Sequence, residues 1–358
     1  MKQSVTTTVN TPISLAESKQ RVDEFLDAYI ERKQADAATI DPHYEALWMR
    51  IRALLRSGGK RFRPYVTLLT FEAYSHNSPE SILPAAAAQE LLHFGMLIHD
   101  DIIDRDDIRY GVKNMTAMYR ESYTPLLSND VDRQHFAQSA ALLAGDLLLS
   151  EAYMLINKSN VPAESIVAAH EALNKSVFRV IGGELLDTEA SFQPHPADPL
   201  TILEQKTASY SFIGPLHMGA ILAGVNKNEL TLLEQFGKNL GIAYQLRDDL
   251  LGIFGNEATT GKSTDGDLQE GKRTLLIQEF DRLATDEQKA EFYQHFGTQT
   301  GTDVARTLLR DSGAQAAIEM LVKTYGDEAR ATLTKLQCND EHKAAFSQLV
   351  NMCLNREK

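Results

Sequence analysis

Apolar residues recur along most of this chain at the three-to-four-residue spacing of an amphipathic helix, and alternating strand-like runs bounded by hairpin turns are scarce. Asp41-Pro42 reads as an N-cap followed by proline at the first helical position, and the run to Arg56 stops at Ser57-Gly58-Gly59. Pro64 restarts a helix through Tyr74, and Pro84 opens another. The pattern predicts further helices near 131–157, 162–190, 199–223, 229–253, 273–283, 302–324 and 340–354. Breakers such as PHPADP at 194–199 punctuate helices and do not separate compositionally distinct halves. With no linker, low-complexity tract or short-period repeat, the expectation is a disordered stretch at 1–13 and one all-α domain over 14–358. That domain reads as a bundle of long helices with its site in the interior.

The helix opened by Pro84 ends in LLHFGMLIHDDIIDRDD, which sets Asp100, Asp101 and Asp104 at the end of an otherwise apolar run. Positions i and i+4 share a helix face, so Asp100 and Asp104 project together with Asp101 beside them. Crowded carboxylates repel and are costly to bury without compensation. A solvated helix end would explain one such cluster, but Asp248 and Asp249 repeat the arrangement in GIAYQLRDDLLGIFG. Two acidic clusters ending two apolar helices suggest a shared divalent-metal site.

Between two helices, GGKRFRP at Gly58–Pro64 sets three cations in four positions. Such a turn could be merely solvated. Together with carboxylate clusters it suits a diphosphate, one part neutralised through metal on aspartate and another held by charge-assisted bonds. A Gly-rich stretch, NEATTGKSTDGDLQEGKRT, follows the second Asp pair. Its Gly261-Lys262-Ser263 resembles the end of a P-loop, but the glycine spacing is one residue too long and a helix precedes it. What remains is a loop in which Lys262, Asp267 and Lys272 suit metal and phosphate contacts.

Composition narrows the partners. Hydrophobic content of 43% is ample for a large core, and a net charge of −13 argues against nucleic acid or an anionic membrane surface. The two cysteines, Cys338 and Cys353, have no metal-binding spacing and fit a reducing compartment. The N-terminus lacks a signal-peptide core, and no window reads as an uninterrupted membrane span, so the expected location is the cytoplasm.

Taken together, LIHDDIID, YQLRDDLLG, GGKRFRP and TGK…DL…EGKRT resemble, in order and spacing, the motifs of the trans-isoprenyl diphosphate synthases, the polyprenyl synthetase family. The resemblance runs from about Gly58 to Thr274, with weaker helical correspondence on both sides. It implies the isoprenoid synthase fold, helices around a central apolar cavity, and a head-to-tail condensation of isopentenyl diphosphate with an allylic diphosphate. Magnesium is the implied cofactor, three ions per site with substrate bound, held by Asp100, Asp104 and Asp248 with Asp101, Asp249 and Asp267 as nearer or outer partners. Lys60, Arg63 and His93 match positions on isopentenyl diphosphate, and Arg109, Lys206 and Lys262 match cations on the allylic diphosphate, with Lys272 a further substrate contact. Thr207 and Gln245 match polar groups lining the reacting centre. Asp146 and Asp187 fall in family-like segments but read equally well as salt bridges within the bundle. The family implies a homodimer formed by helix packing.

Two departures stand out. Where family members carry a double Arg after the first motif, this chain has Arg109-Tyr110, so a cation on isopentenyl diphosphate is missing and Tyr110→Arg should restore affinity. Gly252 stands where many members have a third Asp in the second motif. Product length in the family depends on side chains four and five residues before the first Asp, here Met96 and Gly95. Gly95 is expected to leave the tube open and Met96 to narrow it flexibly, which favours geranylgeranyl diphosphate over farnesyl or longer products. A non-catalytic subunit would be expected to lose acidic clusters, and a terpene cyclase would not need GGKRFRP for a second diphosphate.

Overall fold

Ser14 caps a long first helix, accepting from the backbone N–H of Glu17, in the Ser-x-x-Glu pattern of a helix start. The computed structural model describes residues 11–190, 192, 197–255 and 264–355. The described residues fall into two compact units, those up to 171 together with 218–225, and those of 172–217 together with 226 onward.

The first unit contains α1 (Leu15–Ala38), α2 (Pro42–Ser57), α3 (Phe62–Tyr74), α4 (Leu83–Ile103), α5 (Met115–Ser122), α6 (Asp130–Ile156) and the start of α7 (Ala163–Ala190). A short antiparallel hairpin, β1 (Ile108–Arg109) and β2 (Val112–Lys113), follows α4. Asp41 caps α2 as the sequence suggests, its side chain accepting from the His43 N–H. Helix α4 packs against α1, α3, α5 and α6, and Ala85–Ala88, Leu91, Leu92, Phe94 and Ile98 are all buried. A helix that is apolar on every side belongs in a core. By length and composition α4 (with the turn before it, Pro79–Ile103) and α6 could cross a membrane, but in the fold 72% of the first apolar window and 50% of the second are buried.

Glycines close the seam from α4 to α6. A Cβ on Gly95 would lie 3.0 Å from the carbonyl oxygen of Gly145, and one on Gly145 would fall 2.2 Å from His99 Nε2. His99 meets the carbonyl of Leu142 at 3.2 Å and lies 3.5 Å from Asp146. Disorder was expected through residue 13, and residues 1–10 lie outside those described. Ile13, however, is buried, and its N–H donates to Glu72 Oε2 at 2.9 Å, because an apolar side chain and a backbone donor both find partners there.

In the second unit, α10 (Lys227–Phe254) is the central helix, packed against the helices Ala314–Leu333 and Asp340–Leu354. The segment expected as one helix over 199–223 has three parts: α8 (Pro199–Leu203), a π-helical stretch Glu204–Ile213 and α9 (Gly214–Leu222). The π-stretch also packs on α10. Gly183 of α7 admits its backbone, since a Cβ there would sit 2.3 Å from the Lys206 nitrogen. The expected helix 302–324 is broken at Gly313, whose φ of +85° is the left-handed conformation glycine accepts without strain. A short helix α11 (Gly266–Glu270) follows the Gly-rich stretch.

Candidate active site

In the first unit, the last turn of α4 carries the acidic motif. Asp104 ends the helix, its N–H bonded to the Asp100 carbonyl, so Asp100 and Asp104 stand one turn apart as expected. Asp101 is buried and takes the Nε and Nη2 of Arg109 on one carboxylate oxygen, the Nε contact at 2.8 Å. Arg109 also lies 3.7 Å from Asp100 and 3.5 Å from Asp106. Loss of hydration pushes the Asp101 carboxyl up to about 6, against the pull of Arg109 and with Asp106 and Asp100 adding to the rise. His93, two turns earlier on α4, is held well below its ordinary value, first by burial and then by Arg63, Arg109 and Arg61. It is therefore a neutral imidazole in a field of guanidinium groups.

The basic loop divides its cations. Lys60 is exposed and Arg63 half-buried. Arg61 turns inward: it is buried, bonds Glu90 at 2.9 Å and Asp23 at 2.7 Å, and donates to the carbonyls of Leu55 and Gly58. Of the three cations in this motif, this one is structural.

Gly95 corrects an expectation. It faces the α6 backbone through the contact with Gly145, not an open tube. At 3.6 residues per turn it lies roughly 140° round the helix from Asp100, whereas Met96 falls near the stripe of His93, Asp100 and Asp104. Gly95 therefore serves helix packing.

The second unit holds a cavity of about 320 Å³ whose walls include Lys206, Thr207, Gln245, Asp248, Asp249, Asp267 and Lys272. Thr207 Oγ1 donates to Gln245 Oε1 at 3.0 Å, and Gln245 Nε2 donates to Asp249 Oδ1 at 2.9 Å, linking the π-stretch to the second acidic motif. Burial pushes the Asp249 carboxyl up to about 7, with Asp267 and Asp248 adding to the rise against the Gln245 bond. Lys206 is gripped by Asp187 at 2.5 Å and Glu184 at 2.9 Å, so Asp187 is a salt-bridge partner that orients the lysine. Lys272 lies 3.5 Å from Asp267. Arg273 also lines the cavity and was not singled out, although it stands inside EGKRT. Lys262 lies outside the described residues.

Among the described residues, no three acidic, His or Cys side chains converge as a ready-made ion site. The donors are nevertheless all carboxylate oxygens, the hard ligands magnesium takes, and magnesium commonly uses one or two carboxylates and completes its shell with water and substrate phosphate. The donor set fits that ion.

Comparison with known proteins decides the family. The Polyprenyl synthetase model matches residues 45–310. The chain belongs to the polyprenyl synthetase family. Among polyprenyl synthetases, it is 32% identical over 253 residues to a geranylgeranyl diphosphate synthase of Sulfolobus acidocaldarius, covering 70% of this chain and 71% of that protein. It is 30% identical to a geranylfarnesyl diphosphate synthase of Aeropyrum pernix, covering 84% and 90%. The fold matches the crystal structure of geranylgeranyl pyrophosphate synthase from Corynebacterium glutamicum complexed with isoprenyl diphosphate and magnesium. That match has a TM-score of 0.88 at 29% identity and covers 97% of this chain and 100% of that one. With these neighbours, the all-α chain has the isoprenoid synthase fold.

Proposed function

We propose that this polyprenyl synthetase condenses isopentenyl diphosphate with an allylic diphosphate to make geranylgeranyl diphosphate. Carrying the reading is the retention of both acidic motifs with their supports, Arg109 on Asp101 and Gln245 on Asp249. A subunit freed from catalysis has no need to keep carboxylates in such costly settings. The product length follows the geranylgeranyl diphosphate synthases among its relatives, with farnesyl and longer chains as the alternatives.

In this reading Lys60, Arg63 and neutral His93 hold the diphosphate of isopentenyl diphosphate, while Arg109, Lys206, Lys262 and Lys272 hold the allylic one. Asp100, Asp104 and Asp248 would hold magnesium, which when bound would supply charge that stabilises diphosphate as a leaving group. The allylic C–O bond breaks with its electron pair going to diphosphate. The isopentenyl double bond then attacks the allylic carbon, and the proton lost from the adduct passes to the departing diphosphate. Thr207 and Gln245 fix polar groups beside the reacting carbon, and Ile202, Leu203, Leu251 and Leu275 give the same cavity an apolar wall.

We place the protein in the cytoplasm as a homodimer. Leu142, Leu143 and Met154 on α6 are about half exposed, apolar side chains suited to helix packing against a second copy, and on the other unit Phe178, Ile181 and Leu185 of α7 are more than half exposed. Purified protein incubated with magnesium, isopentenyl diphosphate and farnesyl diphosphate should yield geranylgeranyl diphosphate by chromatography. Asp100→Ala and Asp248→Ala should each abolish most turnover with helical content intact. Near-normal magnesium-dependent activity in both variants would sink the enzyme reading, and a product of another length would sink the product assignment.

A further inference from the structure

Tyr110 stands where the family pattern has a guanidinium, and the structure gives its ring a different task. Tyr110 and Gly111 form the two-residue turn between β1 and β2, with φ of +53° and +77°. Turns of this kind favour Asn-Gly, and a bulky side chain rarely adopts the first of these conformations. The ring rests on Gly58: Cγ, Cβ and Cδ1 of Tyr110 lie 2.7, 2.9 and 3.0 Å from the point a Cβ on Gly58 would occupy. On the next residue, Gly59 (φ +102°), a Cβ would meet Arg61 Nη1 at 2.5 Å. Two glycines are thus enclosed, one by the Tyr110 ring and one by the Arg61 guanidinium, immediately before Lys60. Each clamp has an anchor, since Arg61 is fixed on Glu90 and Asp23 while Arg109, the neighbour of Tyr110, is fixed on Asp101.

We infer that Tyr110 is a positioning residue that packs on Gly58 and holds the Gly58–Arg63 loop in register with the hairpin and the end of α4, setting Lys60 and Arg63 for the diphosphate of isopentenyl diphosphate. This rests on the proposed reading of Lys60 and Arg63 as contacts to that substrate. The guanidinium that the family uses as a direct contact is replaced by an apolar one that acts through the loop. The ring, not the hydroxyl, carries the effect.

The test is steady-state kinetics of Tyr110→Ala, Tyr110→Phe, Gly58→Ala and Lys60→Ala with each substrate varied in turn, alongside thermal unfolding. Tyr110→Ala is expected to raise the KM for isopentenyl diphosphate about tenfold or more and leave the allylic KM within about twofold, since a displaced contact costs binding of the ligand it serves. Tyr110→Phe, which keeps the ring, should restore the KM. Gly58→Ala, which adds a methyl against the ring and removes nothing, should reproduce the selective rise and decides the matter if Tyr110→Ala fails to fold. Phe as impaired as Ala would show that the hydroxyl touches substrate, and an equal rise in both KM values, or none, would show a structural role alone; either overturns the inference. Lys60→Ala separates the two failures: if it too leaves the isopentenyl KM unchanged, the reading of the loop falls with the inference, whereas a rise in Lys60→Ala alone removes only the role of Tyr110.

Discussion

Asp267 places a carboxylate oxygen 2.9 Å from the point where a side chain on Gly252 would begin. The place at which many family members start a third aspartate of the second motif is faced in this chain by a carboxylate delivered from α11. Gly252→Asp therefore does not supply a missing charge. It sets a second carboxylate against Asp267 and is expected to lower kcat several-fold and raise the magnesium concentration for half-maximal rate, because like charges at this range oppose ionisation of both. Asp267→Ala in the same background should recover part of the loss, the non-additivity expected of groups in contact. A magnesium titration of turnover in the single and double variants checks it, and a rate gain in Gly252→Asp alone would contradict it.

Arg61 gives a prediction for stability. Its guanidinium and the carboxylate of Glu90 are both almost fully buried at 2.9 Å. Removing one partner leaves the other as an uncompensated buried charge, typically a loss of about 3–5 kcal/mol. Arg61→Ala should lower the denaturant midpoint accordingly, while Lys60→Ala, at an exposed position, should shift it little. Equal shifts in the two variants would mean that Arg61 is solvated in solution.

Helices with a strong 3.6-residue pattern and a capping residue were legible in the sequence: Asp41-Pro42 began α2 and the apolar runs of α4, α6, α7 and α10 fell where expected. Of the residues named around the second acidic pair, Thr207, Gln245 and Asp249 meet in one hydrogen-bonded chain. Helix α1 was not singled out, although Ser14-x-x-Glu17 marks its start, because its apolar face is thin and interrupted by Ser18. The π-stretch carrying Lys206 was hidden because its register depends on packing, with Gly183 admitting the backbone from a distant part of the chain. Arg61 could not be told from Lys60 and Arg63 by charge, since only the fold brings Glu90 and Asp23 to it. Gly95 misled for a related reason: a glycine reads the same whether it faces an empty tube or a neighbouring backbone.

That correction moves the chain-length prediction to the next residue. Gly95→Tyr would drive a ring into the α6 backbone, and overpacking of this kind costs about 1–3 kcal/mol, so it is expected to destabilise the protein and not to select a product. Met96, on the α4 face that carries His93 and Asp100, is half-buried. Met96→Phe should shorten the product distribution with turnover largely kept, and Met96→Ala should lengthen it, both read by chromatography of the products. Distributions that do not respond to either change would place the floor of the tube elsewhere.

Acid sensitivity follows from His217. Its Nε2–H donates to the Leu230 carbonyl at 3.0 Å, and burial holds the imidazole below its ordinary value against that bond and Glu234, with Lys175 and Arg179 in the same direction as burial. An unfolded chain takes up a proton at this histidine near pH 6.5, whereas the folded chain resists until lower pH. Between those two values the unfolded state binds more protons, so folding stability rises with pH. The contribution is complete above about pH 6.5 and is lost progressively as pH falls toward the folded value. His93, also held below its ordinary value, acts in the same direction. Denaturant unfolding between pH 7.5 and 5 should therefore show stability falling on acidification, and His217→Gln, which keeps an N–H donor for Leu230 but cannot titrate, should flatten the slope between about pH 6.5 and 5. A His217→Gln profile as steep as that of the unchanged protein would assign the acid loss to other groups.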